Sequence, residues 1–167
     1  MRLRPVPFGA FFIMKFLEKD LEQIICESGM EELRKRGLGI AGKLFRQVRI
    51  GNYGIADLIT VRRPYYEDEL NITIYELKKD TISISAFLQA VGYAKGIEHF
   101  MGHRYPQIDY RMTIVLIGHN IDTSGSFCYL PEIVTGNCEL KLYTYDYKVD
   151  GVQFVKHNNY HLVEAGF

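Results

Sequence analysis

Asp57, Glu76 and Lys78 are the residues of this chain whose types and spacing best suit chemistry. Glu76 and Lys78 are two apart in an expected strand, Asn71 to Lys79, that also carries Ile72, Ile74 and Tyr75. Side chains alternate faces along a strand, so Glu76 and Lys78 share a face with Ile72 and Ile74, while Thr73, Tyr75 and Leu77 share the other. A face that begins apolar and ends in a carboxylate and an ammonium is poor core design. Asp57 interrupts a second apolar strand, after Ile55 and Ala56 and before Leu58 and Ile59. A carboxylate in such a run should be partnered, metal-bound or functional. If the two strands are neighbours, Asp57 and Glu76 converge, and hard cations such as Mg²⁺ or Mn²⁺ take oxygen ligands of this kind. The backbone carbonyl of Leu77 would add another oxygen. Lys78, beside the metal, would hold or deprotonate an attacking water, or stabilise charge on a scissile phosphate. The competing reading is plain: E-x-K on a strand is common as a salt-bridged or solvated edge.

The elements that must position these residues follow from hydrophobic period. Phe16, Leu17, Leu21, Ile24 and Ile25 have helical spacing, predicting an amphipathic helix from Lys15 to Ser28. A short helix, Met30 to Arg36, stops at Gly37, and Gly37 to Gly42 is a connector. Phe45 to Ile50 and Ile55 to Val61 read as a hairpin around Gly51-Asn52-Tyr53-Gly54. A polar loop with Tyr65, Tyr66, Glu67, Asp68 and Glu69 precedes the strand that ends in Glu76 and Lys78. Ser83 to about Met101 is the longest helix, with an expected core stripe of Ile84, Phe87, Leu88, Val91 and Ala94. Arg111 to Gly118 is apolar almost throughout, as in a strand buried on both faces. Phe127 to Val134 is ambiguous, with a short helix as one reading. Leu140 to Val149 and Val152 to Lys156 read as a C-terminal hairpin turning at Asp150-Gly151. The order predicts an α/β fold, with a mixed central sheet flanked by helices.

Gln89 and Tyr93 are four apart on the helix after the E-x-K strand, so they share a helix face, beside the apolar stripe. An amide and a phenol there are placed to reach the site or a bound phosphate, although each is also an ordinary boundary residue. Net charge is zero, so no overall basic excess argues for nucleic acid. From Arg34 to Arg63, however, the basic residues include Lys43, Arg46, Arg49 and Arg62, and Asp57 is the only acid. Local sign matters for contacting phosphates, and Arg46 and Arg49 are candidate contacts; a solvated basic face is the alternative.

Taken in order, EKDLEQII (18–25), RQVRIGNYGIADLITV (46–61), ITIYELKKD (72–80) and AFLQAVGYAKGI (86–97) resemble the PD-(D/E)xK nuclease superfamily, in its RecB-like and archaeal mismatch-endonuclease-like branch. The resemblance covers about residues 15 to 100; no motif is matched in 101–167. It implies a restriction-endonuclease-like αβββαβ core and Mg²⁺- or Mn²⁺-dependent hydrolysis of a nucleic-acid phosphodiester, with DNA as the first expectation and RNA as the second. Carried over, Asp57 and Glu76 are metal ligands, Lys78 is the catalytic lysine, and Gln89 and Tyr93 support the site or contact nucleic acid. An acid on the first helix also often faces such a site; Glu18 and Glu22 both fit, with Glu22, in mid-helix, preferred. Ala56 stands where the family name has a proline. No separate DNA-binding domain is visible, which leaves room for a homodimer or a partner protein. The alternative function is a non-catalytic nucleic-acid clamp or scaffold that keeps the fold.

Length, 167 residues, suits one domain, here 15–167 with the motif-bearing core in 15–118. Met14 begins MKFLEKDLEQ, so 1–14 reads as an N-terminal extension. The apolar run Phe8 to Met14 is too short for a membrane span and lacks a cleavage site. Cys26, Cys128 and Cys138 have no CxxC spacing, so reduced thiols and a cytoplasmic location are expected. His99 and His103, four apart, lack a third ligand for zinc. Ser124-Gly125-Ser126 lacks the context of a nucleophile elbow, and GLGIAG lacks the ending of a phosphate loop. Tyr143, Tyr145 and Tyr147 alternate on one strand, as a cross-strand aromatic ladder or a base-stacking platform.

Overall fold

Leu21 and Ile25, one turn apart, have no exposed surface, which is why the N-terminal segment is helical against the sheet rather than free. The computed structural model describes residues 18–122 and 138–157. Helix α1 spans Glu18–Glu27 and α2 Met30–Lys35. Strands β1 (Lys43–Arg49), β2 (Ile55–Arg62) and β3 (Leu70–Leu77) follow, then the two-residue β4 (Thr81–Ile82) and the long helix α3 (Ile84–Arg104). Strand β5 is Tyr110–Gly118, β6 Asn120–Ile121, β7 Cys138–Lys148 and β8 Gly151–His157. The proposed 1–14 extension, Phe127 to Val134 and Ser124-Gly125-Ser126 lie outside the described residues.

The six-stranded sheet runs β1-β2-β3-β5-β7-β8. Pairing is antiparallel for β1–β2, β2–β3 and β7–β8, and parallel for β3–β5 and β5–β7. The fold is therefore α/β with a mixed central sheet, as expected. A separate parallel pair, β4–β6, was not foreseen. One face packs on α3: Ile72, Ile74, Ile114, Leu116 and Leu142 meet Phe87, Ala90, Ala94 and Met101. The other packs on α1 and α2: Leu58, Tyr75, Leu77, Val115 and Ile117 meet Leu21, Ile25 and Leu33. Strand β5 is thus buried on both faces, matching its unbroken apolar run.

Several expected details shift. In α3, Ile84 and Leu88 are exposed, and the buried stripe is Ala86, Phe87, Ala90, Tyr93, Ala94, Ile97 and Met101. The helix is rotated so that Ala86, Ala90 and Ala94 pack toward the sheet among Phe87, Tyr93, Ile97 and Met101; the small residues permit close approach. In the C-terminal hairpin, Lys148 pairs directly with Gly151, so the turn is Val149-Asp150 and Gly151, at φ 123°, closes it. Tyr143 and Tyr145 are buried in the α1-side core, leaving Tyr147 alone with an exposed ring, so this strand is not a stacking platform. Strand β8 also anchors the helix pair. The Phe154 amide donates to the Arg36 carbonyl at 2.7 Å, and the Arg36 guanidinium donates to the Asp150 and Val152 carbonyls at 2.9 and 3.3 Å. Gly37 sits at this junction with φ 95°, and a Cβ there would lie 2.2 Å from the Phe154 carbonyl oxygen.

Candidate functional site

The β1–β2 hairpin is set by Gly51 and Gly54, whose positive φ values of 49° and 122° let the chain reverse. Its register pairs Arg46 with Leu58 and Val48 with Ala56. The β2–β3 ladder pairs Leu58 with Tyr75 and stops there. One step further along the same register, Asp57 stands opposite Glu76. Like charges directly opposite on adjacent strands repel, and this pair lies where the ladder ends. Asp57 Oδ2 accepts the Leu77 amide at 2.8 Å, replacing a ladder bond. The amide and carbonyl of one strand residue point to the same neighbour, so the Leu77 carbonyl is also turned toward β2.

Glu76 is 2% exposed. Its Oε1 accepts the Lys78 ammonium at 2.8 Å, and its Oε2 is buried with no hydrogen-bond partner. Burial pushes its carboxyl up to about 7; the Lys78 bond opposes this and the Asp57 charge adds to it. Burial also raises the Asp57 carboxyl, against the Leu77 amide and the Lys78 charge. Burial alone would lower Lys78, but its bond to Glu76 and the surrounding carboxylates hold the ammonium above its ordinary value. The pair is therefore held by charge at a site that disfavours the bare carboxylate.

Helix α3 supplies a wall. Gln89 Oε1 lies 3.5 Å from Lys78 Nζ, and Gln89 Nε2 donates to the Tyr93 hydroxyl at 2.6 Å. Burial raises the Tyr93 phenol, Gln89 lowers it, and the Glu76 and Asp57 charges raise it further. Gly54 has no side chain to obstruct the ring: a Cβ there would sit 3.0 Å from Tyr93 Cε1.

From α1, Glu22 is 7% exposed, and its two oxygens accept Arg46 Nε at 2.9 Å and Gln47 Nε2 at 2.6 Å. Glu18 accepts the Lys79 amide at 3.3 Å, one residue beyond Lys78. The structure thus gathers Asp57, Glu76, Leu77, Lys78, Gln89 and Tyr93, with Glu18 and Glu22 at the margin. Arg46 is drawn to Glu22. Arg49 is drawn elsewhere: with Tyr53, Ile97 and Phe100 it lines an apolar groove of about 430 Å³. His99 Nδ1 is 2.6 Å from the Tyr53 hydroxyl, so that ring nitrogen is already engaged. Sequence reading missed Gln47, which bridges Glu22 and Asp57. Counting along the hairpin register from Gly51–Gly54 would have placed it opposite Asp57.

The donor set fits a hard divalent cation. Two carboxylates converge, and one buried oxygen lacks a partner. Among the described residues no group of three or more His, Cys, Asp and Glu side chains is arranged to hold a metal. A cation shared by Asp57 and Glu76 would complete its shell with water or substrate oxygens, as Mg²⁺ commonly does. Among the described residues no helix is long and apolar enough to cross a membrane. No family model, curated protein or solved structure matches the chain.

Proposed function

We propose that this chain is a divalent-metal-dependent nuclease with a restriction-endonuclease-like core, hydrolysing phosphodiester bonds of nucleic acid, with DNA as the first substrate to test. The observation that carries the reading is the buried, unpartnered Oε2 of Glu76 opposite Asp57. A protein seldom leaves a buried carboxylate oxygen unpaired without a use for it. Asp57 and Glu76 would hold Mg²⁺ or Mn²⁺. Such an ion polarises a phosphoryl oxygen and acidifies water. Lys78 neutralises Glu76 and presents an ammonium beside the reacting phosphate. Gln89 orients that ammonium through its carbonyl oxygen and is itself steadied by Tyr93. Arg46 belongs to this reading as the partner bonded to Glu22 beside the site, rather than as a phosphate contact.

The test is cleavage of labelled single- and double-stranded DNA and of RNA with Mg²⁺ or Mn²⁺. Wild type is expected to cut at least one of them, and Lys78→Ala to abolish cutting while its far-ultraviolet dichroism stays that of wild type. Purified protein that cuts none of these substrates under either metal refutes the proposal.

A further inference from the structure

Gln47 has a backbone conformation and a set of contacts that the nuclease reading leaves unused. Its φ of 46° is the only positive value at a non-glycine position among the described residues. A residue with a Cβ resists this region unless its surroundings impose it. The ladder is intact on both sides, at Arg46 with Leu58 and at Val48 with Ala56, while Gln47 and Asp57 drop out. Beside this gap β2 reverses its faces. Ala56 packs in the α3-side core and Leu58 in the α1-side core, although residues two apart on a regular strand share a face. Asp57 stands at the reversal.

The same distortion sends the Gln47 amide between two carboxylates. Nε2 donates to Glu22 Oε2 at 2.6 Å and lies 3.5 Å from Asp57 Oδ1. The other Asp57 oxygen is held by the Leu77 amide. Asp57 is therefore steadied from both sides, and Gln47 ties it to α1.

We propose that Gln47 is a positioning residue, whose strained backbone turns its side-chain amide onto Glu22 and Asp57 and so fixes the angle at which Asp57 presents oxygen to a divalent cation shared with Glu76. This rests on the metal-site reading above. It acts only through Asp57 and touches no substrate.

Glycine and asparagine separate this role from packing. Glycine adopts φ 46° freely, so Gln47→Gly keeps the backbone and removes the side chain with its amide. Asparagine also tolerates this region, and Gln47→Asn keeps an amide one methylene too short. Mn²⁺ binding to chelator-treated full-length protein is measured by calorimetry, alongside thermal melting. Wild type is expected to bind Mn²⁺. Both variants should bind it about 10- to 100-fold more weakly, the cost typical of losing a residue that orients a metal ligand. Gln47→Gly should melt at or above the wild-type temperature. Unchanged Mn²⁺ affinity in Gln47→Gly overturns the proposal, as does Gln47→Gly melting well below wild type, which would make the glutamine a packing residue. Wild type that binds no Mn²⁺ overturns the metal reading and this proposal together. Wild type that binds Mn²⁺ but cuts nothing removes only the nuclease reading, and the variants' Mn²⁺ affinities still decide the role of Gln47.

Discussion

Replacing Glu76 by glutamine should make the metal-free protein more stable above neutral pH while removing the proposed metal site. Glu76 is 2% exposed, and burial raises its carboxyl from 4.5 to about 7 in the folded chain. Between those values the native state holds a proton that the unfolded chain has released. Native stability from this group is thus fully present below about 4.5 and falls as pH rises through about 7. Each pK unit corresponds to about 1.4 kcal/mol, so the swing amounts to roughly 3 kcal/mol. Glutamine keeps the shape of the protonated acid and does not titrate. In chelator, urea unfolding of wild type from pH 5 to 8 should show the decline. Glu76→Gln should be flatter and exceed wild type at pH 8 by up to roughly 3 kcal/mol, less what Lys78 loses with its partner. Other groups titrate in both proteins, so the difference between the two curves isolates Glu76. Adding Mn²⁺ at pH 8 should stabilise wild type and leave the variant unmoved. A wild-type stability as pH-independent as the variant's, or an equal slope in both, refutes the reasoning.

Asp57→Asn should abolish Mn²⁺ binding in calorimetry while the far-ultraviolet dichroism stays that of wild type, since Asn still accepts the Leu77 amide. Gly54→Ala places a methyl 3.0 Å from the Tyr93 ring at φ 122°, and should cost about 1–3 kcal/mol in urea unfolding. Its cleavage rate should fall as well, because the displaced ring carries Gln89 with it. Tyr145→Phe removes the hydroxyl that donates to the Lys79 carbonyl at 2.5 Å, and should cost about 1 kcal/mol by the same measurement. Lys78→Met leaves Glu76 buried beside no cation, so the decline in stability toward pH 8 should become steeper than in wild type.

What the sequence disclosed was local. The Gly51–Gly54 reversal, the apolar run of β5 and the alternation of β3 each follow from a few adjacent residues, and with them the opposition of Asp57 and Glu76. Less legible was anything decided by a distant partner. In the α3 stripe Phe87 and Ala94 are buried as expected, but Ile84 and Leu88 are exposed, and close packing on the sheet selects Ala86 and Ala90 instead. Arg46 and Arg49 look alike in the sequence, yet one is captured by Glu22 across 24 positions and the other turns to an apolar groove. Strand β5 lies between β3 and β7, and strand order of that kind is set by tertiary contacts rather than by propensity. Gln47 was missed because no composition rule places glutamine in a left-handed conformation.

The clamp between Arg36 and the last hairpin bears on how the molecule comes to be assembled. Arg36 and Val152 are 116 positions apart, yet the α2 terminus is fixed by β8. As a ribosome delivers the chain, the helix pair emerges first and waits for its final support until nearly everything else has been made. Leu21, Ile25 and Leu33 therefore stay without their finished bed of Tyr143, Tyr145 and Phe154 through most of synthesis. Closure of so long a loop places this step late and slow on the folding route.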